Sequence, residues 1–120
     1  MRPAALAALL FLAAAQTAAA APARPDPGVL EHGRQVFDKW CAPCHAVGPG
    51  HPGTQALDVK YKGAQPGALA DRRDLTPDQV RFFVRHGVSI MPFFRKTEIT
   101  DADLDALAAW LGKAAPKGRR

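Results

Sequence analysis

The only two cysteines of this 120-residue chain lie in one six-residue segment, WCAPCH, which runs from Trp40 to His45. Two thiols separated by two residues serve two incompatible chemistries. The Trp-Cys-x-Pro-Cys part is typical of a thioredoxin-type dithiol, whereas Cys-x-x-Cys-His is typical of covalent attachment of a c-type haem. A structural disulfide between the two cysteines is a third interpretation. The sequence around the segment has to distinguish among the three.

The residues that precede this segment favour haem attachment over a redox dithiol. A redox dithiol sits at the end of a buried β-strand that opens a βαβ unit, so an aliphatic run should precede Trp40. The preceding residues are instead EHGRQVFDK. Leu30, Gly33, Phe37 and Trp40 recur at spacings of three and four, which is typical of an amphipathic helix. The dithiol interpretation therefore lacks the scaffold that it needs.

Capping residues predict three helices in the chain, at about residues 26–40, 76–87 and 100–112. Each begins at a side chain that can accept a hydrogen bond from the first helical turn, and the three N-caps are Asp26, Thr76 and Thr100. Gln79 follows Thr76 at the spacing of a capping box. The last helix has Leu104, Leu107, Ala108 and Leu111 on one face.

Glycines and prolines interrupt the segments between these helices. We therefore expect a long loop over residues 48–75, with one or two helical turns near Leu57 or Ala68, and a second loop over residues 88–99. A long loop is typical of a segment that wraps around something. No strand is predicted. The predicted fold class is all-α, with three to five helices and long loops around one covalently attached haem.

Haem attachment assigns a role to three side chains of CAPCH. Thioether bonds to the two vinyl groups need sulfurs about one helical turn apart, and Cys41 and Cys44 have that spacing. His45 follows directly and would present its imidazole to the iron from one side. The sequence thus predicts two covalent haem ligands and one axial ligand within five residues.

The predicted second axial ligand is Met91, which lies in the loop sequence VSIMPFF. Met1 is the only other methionine. The competing candidates are His86, near the end of a predicted helix, and His51, only six residues after His45. An open iron position is a further alternative, and plain core packing is the ordinary role of a lone methionine.

Residues 1–20 are typical of a secretory signal peptide. Arg2 supplies a positive charge, an apolar run extends from Ala4 to Ala15, and small residues end the segment. The run is shorter than the roughly 20 residues that a membrane-spanning helix needs, so we expect cleavage rather than anchoring. Cleavage after residue 20, or as late as residue 23, would deliver the protein to the periplasm. The mature chain would have a linker at 21–27, one domain at 28–112 and a basic tail at 113–120.

The charge distribution argues against a nucleic-acid-binding body. The net charge is +5, but residues 21–112 carry eleven charges of each sign. The excess of positive charge lies in the tail, which contains Lys113, Lys117, Arg119 and Arg120. We expect the tail to be solvated, and Arg72 and Arg73 to be exposed.

From Pro27 to Gly112 the chain resembles a class I cytochrome c. The residues that carry this resemblance are the first helix, CAPCH, the Met91-Pro92 loop and the last helix. The resemblance implies that the first and last helices cross, with contacts among four residues: Gly33, Phe37, Leu107 and Trp110. It also implies that a proline carbonyl accepts the second ring N–H of His45. Pro49 and Pro52 are both placed for this, and Pro52 is favoured.

The stretch LTPDQVRFFVRHGVSIMPFFRKTEITDADLDALAAWL is also similar to the small cytochrome subunits of flavin-dependent phenol oxidoreductases, such as 4-cresol dehydrogenase and alkylphenol hydroxylases. With both axial positions filled, the expected function is single-electron transfer rather than catalysis. The expected donor is a dehydrogenase of the flavoprotein class, and the expected acceptor is the respiratory chain. The alternatives are a free shuttle to a terminal oxidase or peroxidase, and a haem enzyme or gas sensor with an open iron.

Overall fold

The computed structural model describes residues 24–112 and confirms the all-α prediction for them. The predicted signal peptide, its cleavage site and the basic tail lie outside these residues. Five α-helices are present in this range, together with one turn of 3-10 helix at Leu69–Asp71. The helices are α1 Pro27–Trp40, α2 Ala42–His45, α3 Pro52–Tyr61, α4 Pro77–His86 and α5 Asp101–Leu111. None of the helices in 24–112 is long and apolar enough to cross a membrane.

The three helices predicted from their capping residues are α1, α4 and α5. The Asp26 side chain accepts from the backbone N–H of Gly28 at 2.7 Å. Thr76 and Gln79 form the predicted capping box at the start of α4. A second capping box, between Thr100 and Asp103, begins α5. These local bonds satisfy backbone donors that a helix otherwise leaves unpaired, so the helix starts were readable from the sequence.

Helix α3 corrects the prediction of a loop with only one or two helical turns near Leu57. It contains the ten residues Pro52–Tyr61 and is followed by Lys62, whose φ is 49°. The glycines and prolines that suggested a loop lie at or beyond its ends, where they are compatible with a helix. Only Thr54 is fully buried in α3, so no apolar stripe marked it in the sequence. The turn expected near Ala68 is confirmed by the 3-10 helix.

Helices α1 and α5 cross at a point where their backbones nearly touch. A Cβ atom at Gly33 would lie 2.2 Å from the Ala106 carbonyl oxygen, so only glycine fits there. The rings of Phe37 and Trp110 pack beside the crossing with centroids 5.0 Å apart, and Leu107 is fully buried. The four residues that the family resemblance placed at this crossing are therefore in contact there or beside it.

The apolar core extends from this crossing to α4. Val80 and Val84 of α4 pack with Ile99, which precedes α5, and with buried side chains of α5 and α1 such as Leu104. Burial of each aliphatic side chain of this size contributes about 1.5–3 kcal/mol. The core thereby fixes the end of α1, which leads into Cys41, and both ends of the segment that contains Met91.

Candidate haem site

Helix α1 delivers the chain directly to the two cysteines. The backbone N–H of Cys41 donates to Phe37 O at 2.8 Å and so closes α1. Cys41 O then accepts from the N–H groups of Cys44 and His45, at 3.1 and 2.8 Å. The segment is therefore a single helical turn, which gives the one-turn separation of the two sulfurs that thioether attachment requires.

The thiols themselves do not resemble a redox dithiol. Cys41 is buried, and burial, with a smaller effect of the Cys44 thiol, raises the pKa of Cys41 to about 12. Redox-active thiols have lowered pKa values because the thiolate is the nucleophile. Neither cysteine forms a disulfide, so the structural-disulfide interpretation is wrong for this structure. Two free cysteines on one turn are compatible with thioether formation.

The imidazole of His45 is held in a narrow, partly buried site against the start of α3. A Cβ atom at Gly53 would lie 2.7 Å from His45 Nδ1 and 2.8 Å from Cys44 O, so glycine is required for this approach. Burial lowers the pKa of His45, which favours the neutral ring, the form that binds metals.

His45 Nδ1 is the one buried side-chain nitrogen or oxygen in residues 24–112 that has no hydrogen-bond partner. The predicted bond from this ring to Pro52 O or Pro49 O is thus not formed. Pro52 is the first residue of α3, and carbonyls in a helix point along its axis toward the C-terminus. Pro49 precedes the helix in an exposed turn. A buried polar atom without a partner is unusual, and because Nδ1 faces Gly53, iron coordination would use the other ring nitrogen, Nε2.

Two hydrogen bonds attach the Cys-x-x-Cys-His turn to α3. The Thr54 hydroxyl donates to Ala46 O at 2.8 Å, and His51 Nδ1 donates to Pro43 O at 3.1 Å. His51 therefore lies beside the turn that carries His45, as its proximity in sequence suggested. The start of α3 therefore positions His45, the predicted first axial ligand, although only one or two helical turns near Leu57 were expected there.

Met91 lies in a tight turn between α4 and α5. Val88 and Met91 exchange two backbone hydrogen bonds, at 3.2 and 2.9 Å, so residues 88–91 form a small hairpin. Ser89 has a φ of 54°, which is unusual for a residue other than glycine. Gly87 has a φ of 68°, and a Cβ atom there would lie 2.6 Å from Met91 O. The backbone around Met91 is therefore closely defined.

His86, the competing axial ligand, is engaged at the end of α4. Its Nδ1 donates to Phe82 O at 2.8 Å, and its ring stacks on Phe82 with centroids 4.4 Å apart. This agrees with the interpretation of His86 as a surface group. Met91 remains the predicted sixth ligand.

Apolar side chains near both ligand-bearing segments are exposed to solvent. Ile90 is 87% exposed and Phe93 is 60% exposed on the Met91 side, and Val47 is 65% exposed after His45. Phe94, by contrast, packs edge-on against Trp40 with centroids 5.8 Å apart. Clustered apolar exposure of this kind marks a ligand or interaction surface. The described residues therefore fit a large apolar group.

Arg72 is a buried residue that sequence reasoning placed on the surface. Its guanidinium lies 4.6 Å from the centre of the Tyr61 ring and pairs with Asp74 and Gln65. The hydrogen bonds that Arg72 donates to Asp74 raise the pKa of Arg72 above its ordinary value. Arg73 is exposed as expected. The different exposure of these adjacent arginines could not be predicted from the sequence, because Arg72 is buried by a contact with Tyr61, which is eleven residues away.

Known proteins similar to this chain are cytochromes c. Residues 28–111 match the family model described as cytochrome c oxidase, cbb3-type, subunit III. The chain belongs to this family of cytochromes c. Cytochrome c6 of Cyanidioschyzon merolae (strain NIES-3377 / 10D) is 30% identical over 74% of this chain and 78% of that protein. Cytochrome c6 of Cyanidium caldarium is 29% identical over 74% of each. No solved structure gives a significant match.

Membership of this family establishes the cofactor and the general role. The protein is a monohaem c-type cytochrome with one covalently bound haem c, and it transfers electrons rather than catalysing a reaction. The next question is which residues bind the haem and which proteins exchange electrons with it.

Proposed function

We propose that Cys41 and Cys44 form the haem thioethers and that His45 and Met91 are the axial ligands. The observation that carries this proposal is the geometry of one helical turn, in which two free cysteines are followed directly by a partly buried imidazole whose pKa is lowered by burial. The closely defined backbone of the Met91 hairpin supports the second ligand. Bound haem supplies the one-electron redox centre.

The residues of the chain would then hold the iron and exclude other reactants. Cys41 anchors the cofactor from the apolar core, and Gly53 admits α3 against the ring of His45. With an imidazole on one side and a thioether on the other, no coordination position remains for a substrate or for oxygen. The chemistry is therefore limited to gaining and losing one electron.

We further propose that the cytochrome works in the periplasm and accepts electrons from a dehydrogenase, most specifically a flavoprotein of the 4-cresol dehydrogenase type. The signal-like residues 1–20 and the resemblance of the α4–α5 region to the cytochrome subunits of such enzymes support this. The electrons would pass to the respiratory chain. Stable co-purification with a flavoprotein encoded beside it would support this donor, and its absence would favour a free shuttle.

A terminal oxidase is the second candidate partner. The description of the matching family names an oxidase subunit, which favours an oxidase as the electron acceptor. Ferric cytochrome mixed with the reduced flavoprotein, and ferrous cytochrome mixed with a terminal oxidase, would distinguish the roles. Rapid reduction by the flavoprotein would support the dehydrogenase donor, whereas rapid oxidation by the oxidase without reduction by the flavoprotein would support the shuttle.

The ligand assignment is tested by spectroscopy on the secreted, mature protein. A pyridine haemochrome spectrum should show two thioether links, and the ferric protein should show the long-wavelength absorption band of a methionine-iron bond. Reduced wild-type protein should not bind carbon monoxide rapidly, whereas Met91→Ala should. Rapid binding by the wild type would instead indicate an open iron, as in a gas sensor or haem enzyme. Met91→Leu serves as a control that keeps the apolar volume but removes the sulfur.

A further inference from the structure

Arg85 of α4 connects two separate parts of the chain to its own helix. Its Nη1 donates to Phe94 O at 3.0 Å, and its Nη2 donates to Asp101 Oδ1 at 2.9 Å. The first contact is to the Met91 loop, defined as residues 88–99, and the second is to the first residue of α5. The Arg85 side chain is only 19% exposed. One guanidinium therefore joins the loop to the helices on either side of it.

Phe94 is the point at which the Met91 loop is attached to α4. Its backbone N–H donates to Val84 O at 2.8 Å, and its carbonyl accepts from Arg85. Its ring packs against Trp40, which is adjacent to Cys41. Both backbone groups of Phe94 are thus bonded to α4. Phe94 is only three residues after Met91, so its position limits where the methionine can lie.

The preceding end of the Met91 loop is fixed independently. The hairpin of Val88 and Met91 packs on Gly87, at the end of α4. Met91 is therefore held between the hairpin on one side and Phe94 on the other. The hairpin is made of local backbone bonds alone, whereas the Phe94 attachment combines a backbone bond to Val84 O with a bond from the Arg85 side chain. Arg85 is the side chain that can be removed without altering the loop sequence.

Arg81 provides an internal comparison. It lies one turn earlier on α4 and also pairs with α5, through Asp105 at 2.9 Å. It bonds in addition to Asp78 of its own helix at 3.2 Å. No hydrogen bond of Arg81 to the Met91 loop is found in the described chain. Arg81 and Arg85 thus each form an ion pair with α5, but only Arg85 also donates a hydrogen bond to the Met91 loop.

We propose that Arg85 is a positioning residue that holds the Met91 loop in place for axial ligation, through its bonds to Phe94 O and Asp101. This inference rests on the proposed assignment of Met91 as the sixth ligand. Removing the guanidinium leaves Phe94 O without a charged donor, so that only the backbone bond to Val84 O attaches this end of the loop to α4. The methionine-bound state then loses stability relative to a state in which the sulfur has left the iron.

The test measures how readily added imidazole displaces the methionine from the ferric holoprotein. Arg85→Met keeps the length of the side chain but removes its donors. We expect imidazole to bind the Arg85→Met protein about tenfold more tightly than the wild type, because a hydrogen bond from a charged donor contributes about that factor. Arg81→Met should change the affinity by less than about twofold, since exposed ion pairs contribute little. Denaturant unfolding of both variants would control for general loss of stability.

Two results would overturn the proposal, and they are distinct. If wild-type ferric protein lacks the methionine-iron absorption band and Met91→Ala changes nothing, the ligand assignment itself is wrong. If the wild type shows the band but Arg85→Met and Arg81→Met bind imidazole equally well, Met91 is the ligand and Arg85 does not position it. An increase confined to Arg85→Met, at equal unfolding free energies, supports the proposal.

Discussion

The α1–α5 crossing and the ligand-bearing segments of this cytochrome are held together by different forces. The crossing is an apolar contact in which Gly33 lets two helix backbones meet, and Leu107 is fully buried beside it. The segments with His45 and Met91 are attached mainly by single hydrogen bonds, such as Thr54 to Ala46 O. They also leave large apolar side chains exposed. The crossing thus buries its own apolar surface, whereas the exposed apolar side chains near His45 and Met91 would be covered by the haem.

The largest effect is expected from Gly33→Ala, which tests the crossing. The new Cβ would meet the Ala106 carbonyl, a backbone atom that cannot move unless the helices separate. We expect the free energy of unfolding to fall by about 3 kcal/mol, measured by denaturant titration. Gly28→Ala, in the first turn of the same helix, is the control, because its Cβ would approach only the Asp26 carboxylate. Equal losses in the two variants would contradict the tight crossing.

Gly53→Ala makes the corresponding change on the ligand side, and its effect should be smaller. The Cβ would meet the His45 ring, at 2.5 Å from Cε1, and also Cys44 O. A ring at the end of a side chain can shift, so we expect a loss of about 2 kcal/mol. The haem absorption spectrum should change as well, which Gly33→Ala should not cause at equal folded fraction. An unaltered spectrum would show that His45 does not depend on the approach of α3.

Ser89→Gly should have a smaller and stabilising effect. Ser89 has a φ of 54° and Lys62 a φ of 49°, both in the region that favours glycine. Glycine at either position should raise the free energy of unfolding by about 0.5–1 kcal/mol. Lys62→Gly, at the end of α3, is therefore the matched control outside the Met91 loop. A loss of stability in Ser89→Gly alone would mean that the Ser89 side chain contributes to the hairpin.

The smallest effect concerns pH and the start of α5. Hydrogen bonds from Thr100 and then His32 lower the pKa of Asp103 below its ordinary value of 3.8. A carboxylate with a lowered pKa in the folded state stabilises the protein above its unfolded pKa, and this contribution is lost as the pH falls through the folded value. Thermal unfolding should therefore show stability declining in acid, with a weaker decline in Asp103→Asn. Identical pH profiles would contradict a role for this carboxylate.

The sequence predicted those elements whose signals are local. The starts of α1, α4 and α5 follow from Asp26, Thr76 and Thr100, because a cap and its helix are adjacent in the chain. Helix α3 was predicted only as one or two turns near Leu57, because it buries only Thr54 and so has no apolar periodicity.

The candidate site shows the same limit. The Cys-x-x-Cys-His turn is readable because its chemistry is contained in five adjacent residues. The burial of Arg72 against Tyr61 and the bond from Arg85 to Phe94 O are contacts between distant residues. The bond expected from His45 to Pro52 O or Pro49 O is not formed in the described residues, and the direction of the Pro52 carbonyl depends on α3 being a helix. Contacts between distant residues follow from the assembled fold rather than from a motif.

The burial of Cys41 constrains the order of events when the cytochrome is made. In the folded structure this thiol is 9% exposed and belongs to the apolar core. If this sulfur forms a haem thioether, as proposed, attachment requires access to that atom before α1 and α5 have packed together. Under that assignment, haem attachment precedes final folding, and a sequence change that hastens the helix packing would reduce the yield of coloured protein.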